Sequence, residues 1–435
     1  RVTFVTRPSL FVATISRRVH YEPAAGYPGG NDRVNEQPSR LPTLRALTGL
    51  RAFAAAWVVL YHFRDDVKRL FPGSEPAWPF LDSGYVGVDI FFILSGFIIA
   101  YTYLGQFETV RPRAYGRFLW LRLARLYPVH LFTLALFTLI VIPGHVQDAS
   151  LSEVGGVLRL EDFRRQLLLA HGWGTTGNHA FNYPAWSISV EWLAYLVFPI
   201  GALVLARFRT KRAMAGGLVA AFVFNIVSFQ LIDAAGQTGQ IIWVRIIGEF
   251  AAGCFLFLLW RGRWAAGAPW AMWTPVLAGA SVAATLVFET RYGEIAPVLA
   301  APLYGLAILG LAYQRDCVGW LMALPPLVYL GEASYSLYMT HALVQRFAWE
   351  YIPSADFVSD SLALRGLVLA SYAALLAGMA VLTYELVEQP SRNLMRRLTS
   401  SRTRGRQPDA GRTAATDAKP YAAPQPQDYP RAGRF

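Results

Sequence analysis

Charge is scarce in this sequence. Only 16% of its 435 residues are Asp, Glu, Lys or Arg, against about 25% in an average soluble domain. A soluble chain of this length needs more charge to cover its surface, whereas a chain with many membrane helices does not. Cysteine is scarcer still, with only Cys254 and Cys317. Neither lies in a CxxC pair or beside a histidine, which excludes a disulfide framework and a cysteine metal cluster, and no metal is expected. The first 40 residues hold Arg7, Arg17 and Arg18 but no long apolar core followed by a small-residue cleavage site, so they do not read as a signal peptide. A nucleic-acid motif is also missing, although the formal net charge is +12.

What the chain has instead is apolar length. Hydrophobic residues make up 54% and aromatic residues 14%. Ten runs approach the ~20 residues that a helix needs to span a bilayer, near 45–63, 85–104, 118–142, 186–206, 214–232, 241–260, 270–288, 295–313, 326–347 and 363–386. The expected fold is all-α, a polytopic membrane bundle of about ten transmembrane helices. Residues 1–40 read as a flexible N-terminal extension, 41–397 as the membrane domain and 398–435 as a disordered basic tail.

The positive residues sit between the apolar runs, where they set orientation in the bilayer better than they suggest a nucleic-acid partner. With the N-terminus inside, the short inner loops hold 10 Lys or Arg in 41 residues and the outer loops hold 7 in 93. Both termini are therefore expected in the cytoplasm. The longest connection, 143–185, falls outside.

Ionisable residues within a span are costly, so each is a functional candidate. The topology sorts them into two levels. Arg51, Arg122 and Arg125 fall toward the inner side; His62, Asp89, Glu191 and His341 fall toward the outer side. Arg51 and His62 end the stretch RAFAAAWVVLYH and lie eleven residues apart. That spacing puts them on one helix face, ~16 Å apart along the axis at about 1.5 Å per residue. Arg122 and Arg125 share a face at i, i+3. Guanidinium groups suit phosphate because their planar donor forks stay charged. His62 suits proton transfer, and a carboxylate from Asp89 or Glu191 on its far nitrogen would fix the tautomer. Read singly, the arginines are equally ordinary inner anchors that snorkel to lipid phosphate, and His62 an interfacial histidine. Arg245 and Glu249 are expected to satisfy one another at i, i+4. Glu385 and Glu388 would neutralise the inner arginines, Trp186 and Trp192 suit an interfacial belt, Ser95 and Gly96 suit close packing, and His130 and His171 have no assigned partner.

In combination these stretches are far more specific. LPTLRALTGLRAFAAAWVVLYHF, GYVGVDIFFILSGFIIA, RFLWLRLARLYPVHL, NYPAWSISVEWLAYLVFP, GEASYSLYMTHALV and YELVEQPSRNLMRR occur in this order over about 41–397. The chain resembles the acyltransferase family 3 membrane proteins, which include O-acetyltransferases of bacterial lipopolysaccharide and exopolysaccharide and O-acyltransferases of macrolides. The resemblance implies ten spans and an Arg-x10-His motif at Arg51 and His62. It also implies an Arg-x-x-Arg motif at Arg122 and Arg125, a Gly-Val-Asp stretch at Gly87 to Gly96, Trp-Ser-x-x-x-Glu at Trp186, Ser187 and Glu191, and Tyr-Ser-x-Tyr-x-x-His from Tyr335 to His341. It implies transfer of an acyl group, usually acetyl, from cytoplasmic acyl-CoA to a hydroxyl. The expected roles are His62, Asp89 and Glu191 in catalysis, Arg51, Arg122 and Arg125 in holding the CoA phosphates, and Trp186, Ser187, Tyr338 and His341 at the acceptor. No resident cofactor is expected. The expected partners are the lipid bilayer, acyl-CoA and a carbohydrate or glycolipid acceptor at a bacterial inner membrane, with homo-oligomerisation allowed and no nucleic acid. The rival readings are a transporter or flippase of a lipid-linked glycan, and acylation of a secondary metabolite such as a macrolide.

Overall fold

The computed structural model describes residues 43–141, 160–173, 181–235, 241–262, 272–292, 295–314, 316–351 and 361–404. The expected N-terminal extension, most of the expected basic tail and much of the connection 143–185 lie outside the described residues. No strand occurs among the described residues. Ten long helices lie where the ten apolar runs do: α1 Arg45–His62, α2 Gly87–Tyr103, α3 Pro112–Leu136, α4 Trp186–Leu205, α5 Lys211–Ala234, α6 Ile241–Arg261, α7 Thr274–Tyr292, α8 Ala296–Tyr313, α9 Pro325–Tyr351 and α10 Leu362–Thr383. A π-helical turn, Tyr384–Glu388, carries α10 into a basic helix, α11 Gln389–Arg404.

Local chemistry explains several boundaries. Pro112 opens α3, where its missing N–H costs nothing. The Thr210 and Ser361 side chains accept from the third backbone N–H along and so cap α5 and α10. By length and composition, six helices can cross a membrane, and seven if Arg45–His62 and Arg64–Leu70, bent by 65°, count as one. The protein is thus a multi-pass helical membrane protein. The expected count of about ten crossings is not met on that measure. The physical reason is visible in α3, whose hydropathy is lowered by Arg113, Arg117, Arg122 and Arg125.

Neighbouring lipid gives helices little hydrophobic reason to associate, so close packing must hold them together. α2 and α6 show how. Gly96 faces the Phe250 carbonyl and Gly253 faces the Ile93 carbonyl, each so closely that a Cβ would collide with backbone. The buried Ile93 and Phe97 fill the rest of that seam, Phe97 edge-on to Phe257 at 5.9 Å. α1 and α9 pack in parallel. Gly331 abuts the Thr48 carbonyl at one end, and the His62 and His341 rings meet at the other. This pairing sets the two levels of the site.

The expected intrahelical pair of Arg245 and Glu249 does not form. Arg245 grips Asp89 of α2, with Nε 3.0 Å from Oδ1 and a terminal nitrogen 2.6 and 2.5 Å from the two oxygens. Glu249 instead accepts from Asn225 Nδ2 at 3.3 Å. A bidentate fork on a fully buried carboxylate outcompetes a single contact along one helix. His130 and His171 also have partners: their rings stack 5.6 Å apart, and His130 Nε2 donates to the Gln166 carbonyl at 2.9 Å.

Replacing Gly96 with leucine is expected to cost ~1–3 kcal/mol by overpacking, seen as a lowered melting temperature in detergent. Gly279→Ala, at a position with open space, should leave that temperature unchanged or slightly raised.

Candidate active site

Two polar levels occupy the bundle. At the level of Arg51, helices α1 to α4 and α9 surround a cavity of about 140 Å³. α3 supplies Arg122 and Arg125 on one face, as their i, i+3 spacing requires. The two differ in what they meet. Arg125 is ion-paired with the buried Glu388, which also accepts from the Ser336 hydroxyl at 2.7 Å and lies 3.6 Å from Arg392. The π-helical turn ends on Glu388 and delivers it there. The expectation that Glu388 neutralises an inner arginine therefore holds, whereas Glu385 sits outside with the Tyr329 hydroxyl at 3.1 Å.

Arg122 donates to the Tyr103 hydroxyl at 2.7 Å and lies 4.8 Å over that ring. Its Nε is buried with no hydrogen-bond partner. Among the described residues, Arg122 has no carboxylate partner, and Arg51 makes neither ion pair nor hydrogen bond. Glu191 lines the same cavity. That carboxylate is occupied by the Ser95 hydroxyl at 2.5 Å and by the Tyr195 hydroxyl. A cavity with two guanidinium groups left to share one hydrogen-bonded carboxylate is suited to an anion.

At the level of His62, the imidazole lies with its centroid 5.0 Å from that of His341 and 4.8 Å from that of Tyr183. His341 Nδ1 is 2.6 Å from the Tyr338 carbonyl. A carbonyl only accepts, so Nδ1 carries the proton and Nε2 presents a lone pair. Nε2 is buried with no partner, which leaves a proton acceptor aimed at the interior. Gln345 ties the group together: its amide donates to the His62 carbonyl at 2.5 Å and accepts from the Tyr183 hydroxyl at 3.0 Å. Tyr338 joins the levels. It lines the cavity, its ring lies 5.7 Å from that of His341, and its hydroxyl receives the Ser187 proton at 2.8 Å.

The structure brings Arg51, Arg122, Arg125, Glu191, Ser187 and Tyr338 to one cavity and His62 to His341. It does not place a carboxylate on His62. Asp89 faces away because Gly87 fills the face of α2 that packs against Ala54 and Val58 of α1, and Asp89 lies two residues, about 200°, further round. Glu191 lies four residues, about 6 Å, along α4 from Ser187, which puts it with the arginines rather than with His62. A backbone carbonyl orients a histidine here, and the histidine is His341. Trp186 is not among the cavity-lining residues; it packs edge-on against Phe92 at 6.2 Å. Ser95, expected only to pack, is a ligand of Glu191. Tyr195, Tyr183 and Gln345 escaped the sequence reading. Two of them stand one helical turn beyond residues already singled out, Tyr195 at Glu191 + 4 and Gln345 at His341 + 4, and that spacing is the signal that finds them.

The model of an acyltransferase domain matches residues 44–384, most of the chain, including every cavity-lining residue and the histidine level but not Glu388. The chain belongs to acyltransferase family 3. Among its relatives, the acyltransferase MdmB of Streptomyces mycarofaciens is 28% identical over 334 residues, covering 71% of this chain and 81% of MdmB. The O-acetyltransferase OatA of Staphylococcus aureus is 24% identical over 391 residues, covering 80% of this chain but 57% of OatA. The putative membrane-bound transacylase BcsY of Komagataeibacter xylinus is 28% identical over 357 residues, covering 79% and 82%. No solved structure matches the chain. Membership in acyltransferase family 3 makes this protein an enzyme that transfers acyl groups other than aminoacyl groups, and the transporter alternative is set aside.

If Asp89 serves to neutralise Arg245, Asp89→Asn leaves a buried guanidinium unpaired and should cost ~3–5 kcal/mol. The loss should appear in thermal unfolding before it appears as a selective fall in kcat. The double change Asp89→Leu with Arg245→Met should recover much of the stability.

Proposed function

We propose that this family member is an O-acyltransferase that moves an acyl group, acetyl first, from cytoplasmic acyl-CoA to a hydroxyl of a cell-envelope carbohydrate or glycolipid. The observation that carries the reading is the pair Arg51 and Arg122, without ion-pair partners among the described residues, on a cavity that one tyrosine links to a histidine pair. Likeness to OatA, an O-acetyltransferase, and to BcsY, a putative membrane-bound transacylase, supports the same chemistry. In this reading ten helices cross a bacterial inner membrane, both termini are cytoplasmic, and the arginine level faces the cytoplasm.

Arg51 and Arg122 hold CoA phosphate, while Arg125, already neutralised by Glu388, shapes the cavity wall. The pantetheine arm extends along Tyr338 toward the histidines. His62 takes the proton of the acceptor hydroxyl, whose oxygen attacks the thioester carbon. The C–S bond breaks, and the imidazolium returns its proton to the departing thiolate. The products are the O-acyl ester and CoA thiol, and atoms and charge balance. Stacked beside His62, His341 offers its Nε2 lone pair to the same proton and keeps the site open to a neutral base. Direct transfer needs no acyl-enzyme.

Purified protein, labelled acetyl-CoA and a cell-envelope extract test the reading. Wild type should deposit label in an acceptor, and His62→Ala should abolish transfer while acetyl-CoA still binds; retained transfer sinks the base assignment. Arg122→Ala removes charge-assisted hydrogen bonds, about 1.5–3 kcal/mol each. It should weaken acetyl-CoA binding roughly 10- to 100-fold, read by equilibrium binding. Arg125→Ala should chiefly destabilise the fold by leaving the buried Glu388 with only Ser336 and the more distant Arg392.

A further inference from the structure

A second cavity, of about 600 Å³, opens beside the histidine level and away from the arginines. It exists because the chain bends by 65° after His62. The short helices that follow, Arg64–Leu70 and Trp78–Asp82, then form a rim against the end of α7. The lining includes Tyr61, Arg64, Glu75, Trp78, Asp82, Tyr85 and Glu289. From these residues we infer that the bowl is the acceptor's saccharide site, and that it selects a neutral or amino sugar over an anionic one. This inference rests on the acyl-transfer reading above.

Position is the first argument. Tyr61 lines the bowl and stands edge-on to the His62 ring, centroid to centroid 5.0 Å. A hydroxyl presented from the bowl therefore reaches His62 past one side chain, while the donor cavity reaches the same pair past Tyr338 from the other side.

Composition is the second. A pyranose has an apolar C–H face and a rim of hydroxyls, which calls for aromatic surface beside charged hydrogen-bonding groups. The bowl offers both, already ordered. Trp78 Nε1 donates to Ser74 Oγ at 3.1 Å, which holds the indole plane. Tyr61 meets Tyr85 edge-on at 5.3 Å and carries Arg64 over its ring at 4.2 Å. The Tyr85 hydroxyl donates to Glu289 Oε2, leaving Oε1 to accept from a ligand. A site that is ordered before binding loses less side-chain entropy on capture.

Charge is the third. Glu75, Asp82 and Glu289 outnumber Arg64 on the lining; Lys68, 5.1 Å over the Trp78 ring, binds Asp82 at 2.6 and 2.8 Å, and Arg64 lies 3.5 Å from the same carboxylate, so Glu75 and Glu289 have no cation partner among the described lining residues. The residual negative charge repels a uronate or phosphate and attracts an ammonium.

The test uses the full-length protein in detergent and three labelled oligosaccharides of equal length, built of glucose, glucosamine or galacturonic acid. Saturable binding of the glucose or glucosamine oligomer and at least tenfold weaker binding of the galacturonate oligomer are expected. Absence of saturable binding by all three, or preference for galacturonate, overturns the proposal. Trp78→Ala should weaken saccharide binding at least tenfold with acetyl-CoA binding unchanged, Trp78→Phe should restore most of it, and Glu289→Gln should erase any preference for glucosamine. Should transfer to envelope extract persist in Trp78→Ala with the acceptor KM unmoved, the bowl is not the acceptor site and the acyltransferase reading stands. Loss of acetyl-CoA binding and of transfer in the wild type would instead sink that reading. Attaching the preferred saccharide to a long-chain lipid separates the two sources: tighter binding names a glycolipid headgroup, equal binding a free glycan.

Discussion

The ion pair between Arg125 and Glu388 is the interaction on which the rest of the site depends. A guanidinium inside a helical bundle cannot reach water, so it must meet a carboxylate or a ligand. Glu388 arrives from the far end of the chain, at the end of a π-helical turn, and is held by Ser336 of α9 as well as by Arg125 of α3. One carboxylate thus ties three segments distant in sequence and satisfies one of the three arginines at this level. Arg51 and Arg122 remain for the ligand. If Arg122 had such a partner too, the cavity would offer an anion far less charge.

Neutralisation recurs one layer away with the opposite consequence. Asp89 and Arg245 cancel each other in a bidentate contact between α2 and α6. A carboxylate expected to serve His62 is thereby taken up by an arginine on another helix. His62 is left among His341, Tyr183 and Tyr61, a group with no formal charge when both imidazoles are neutral. Arg64, 4.2 Å over the Tyr61 ring, is a permanent charge beside this group, and a neutral imidazole is the form able to accept a proton and return it. Orientation comes from a backbone carbonyl on His341, which adds no charge.

Much of this was legible in order along the chain. Apolar runs of span length placed ten helices, and i, i+3 spacing put Arg122 and Arg125 on one face. The eleven-residue interval separated Arg51 from His62 by half a bilayer, and the structure keeps them at different levels. Glu388 meets an inner arginine as its position suggested, but spacing did not fix which helix several other residues face. Asp89 and Glu191 lie at plausible depths for partners of His62, yet one turns to α6 and the other sits a turn too far along α4. Arg245 and Glu249 are properly spaced along one helix, but a fully buried carboxylate on another helix offered more.

The sequence alone determined the class of molecule, the levels of its polar residues and, through motifs in a particular order, its family. These depend on composition and on periodicity along single helices, which are local. Tertiary structure decided the pairings: Glu388 with Arg125, Asp89 with Arg245, His341 with His62, and the bowl that opens where the chain bends after α1. The physical reason is that rotation of one helix against another is set by close packing of small residues, such as Gly331 on Thr48 and Gly96 on Phe250, and by competition among buried charges for the best fork. Neither is written in the spacing of residues along a single helix.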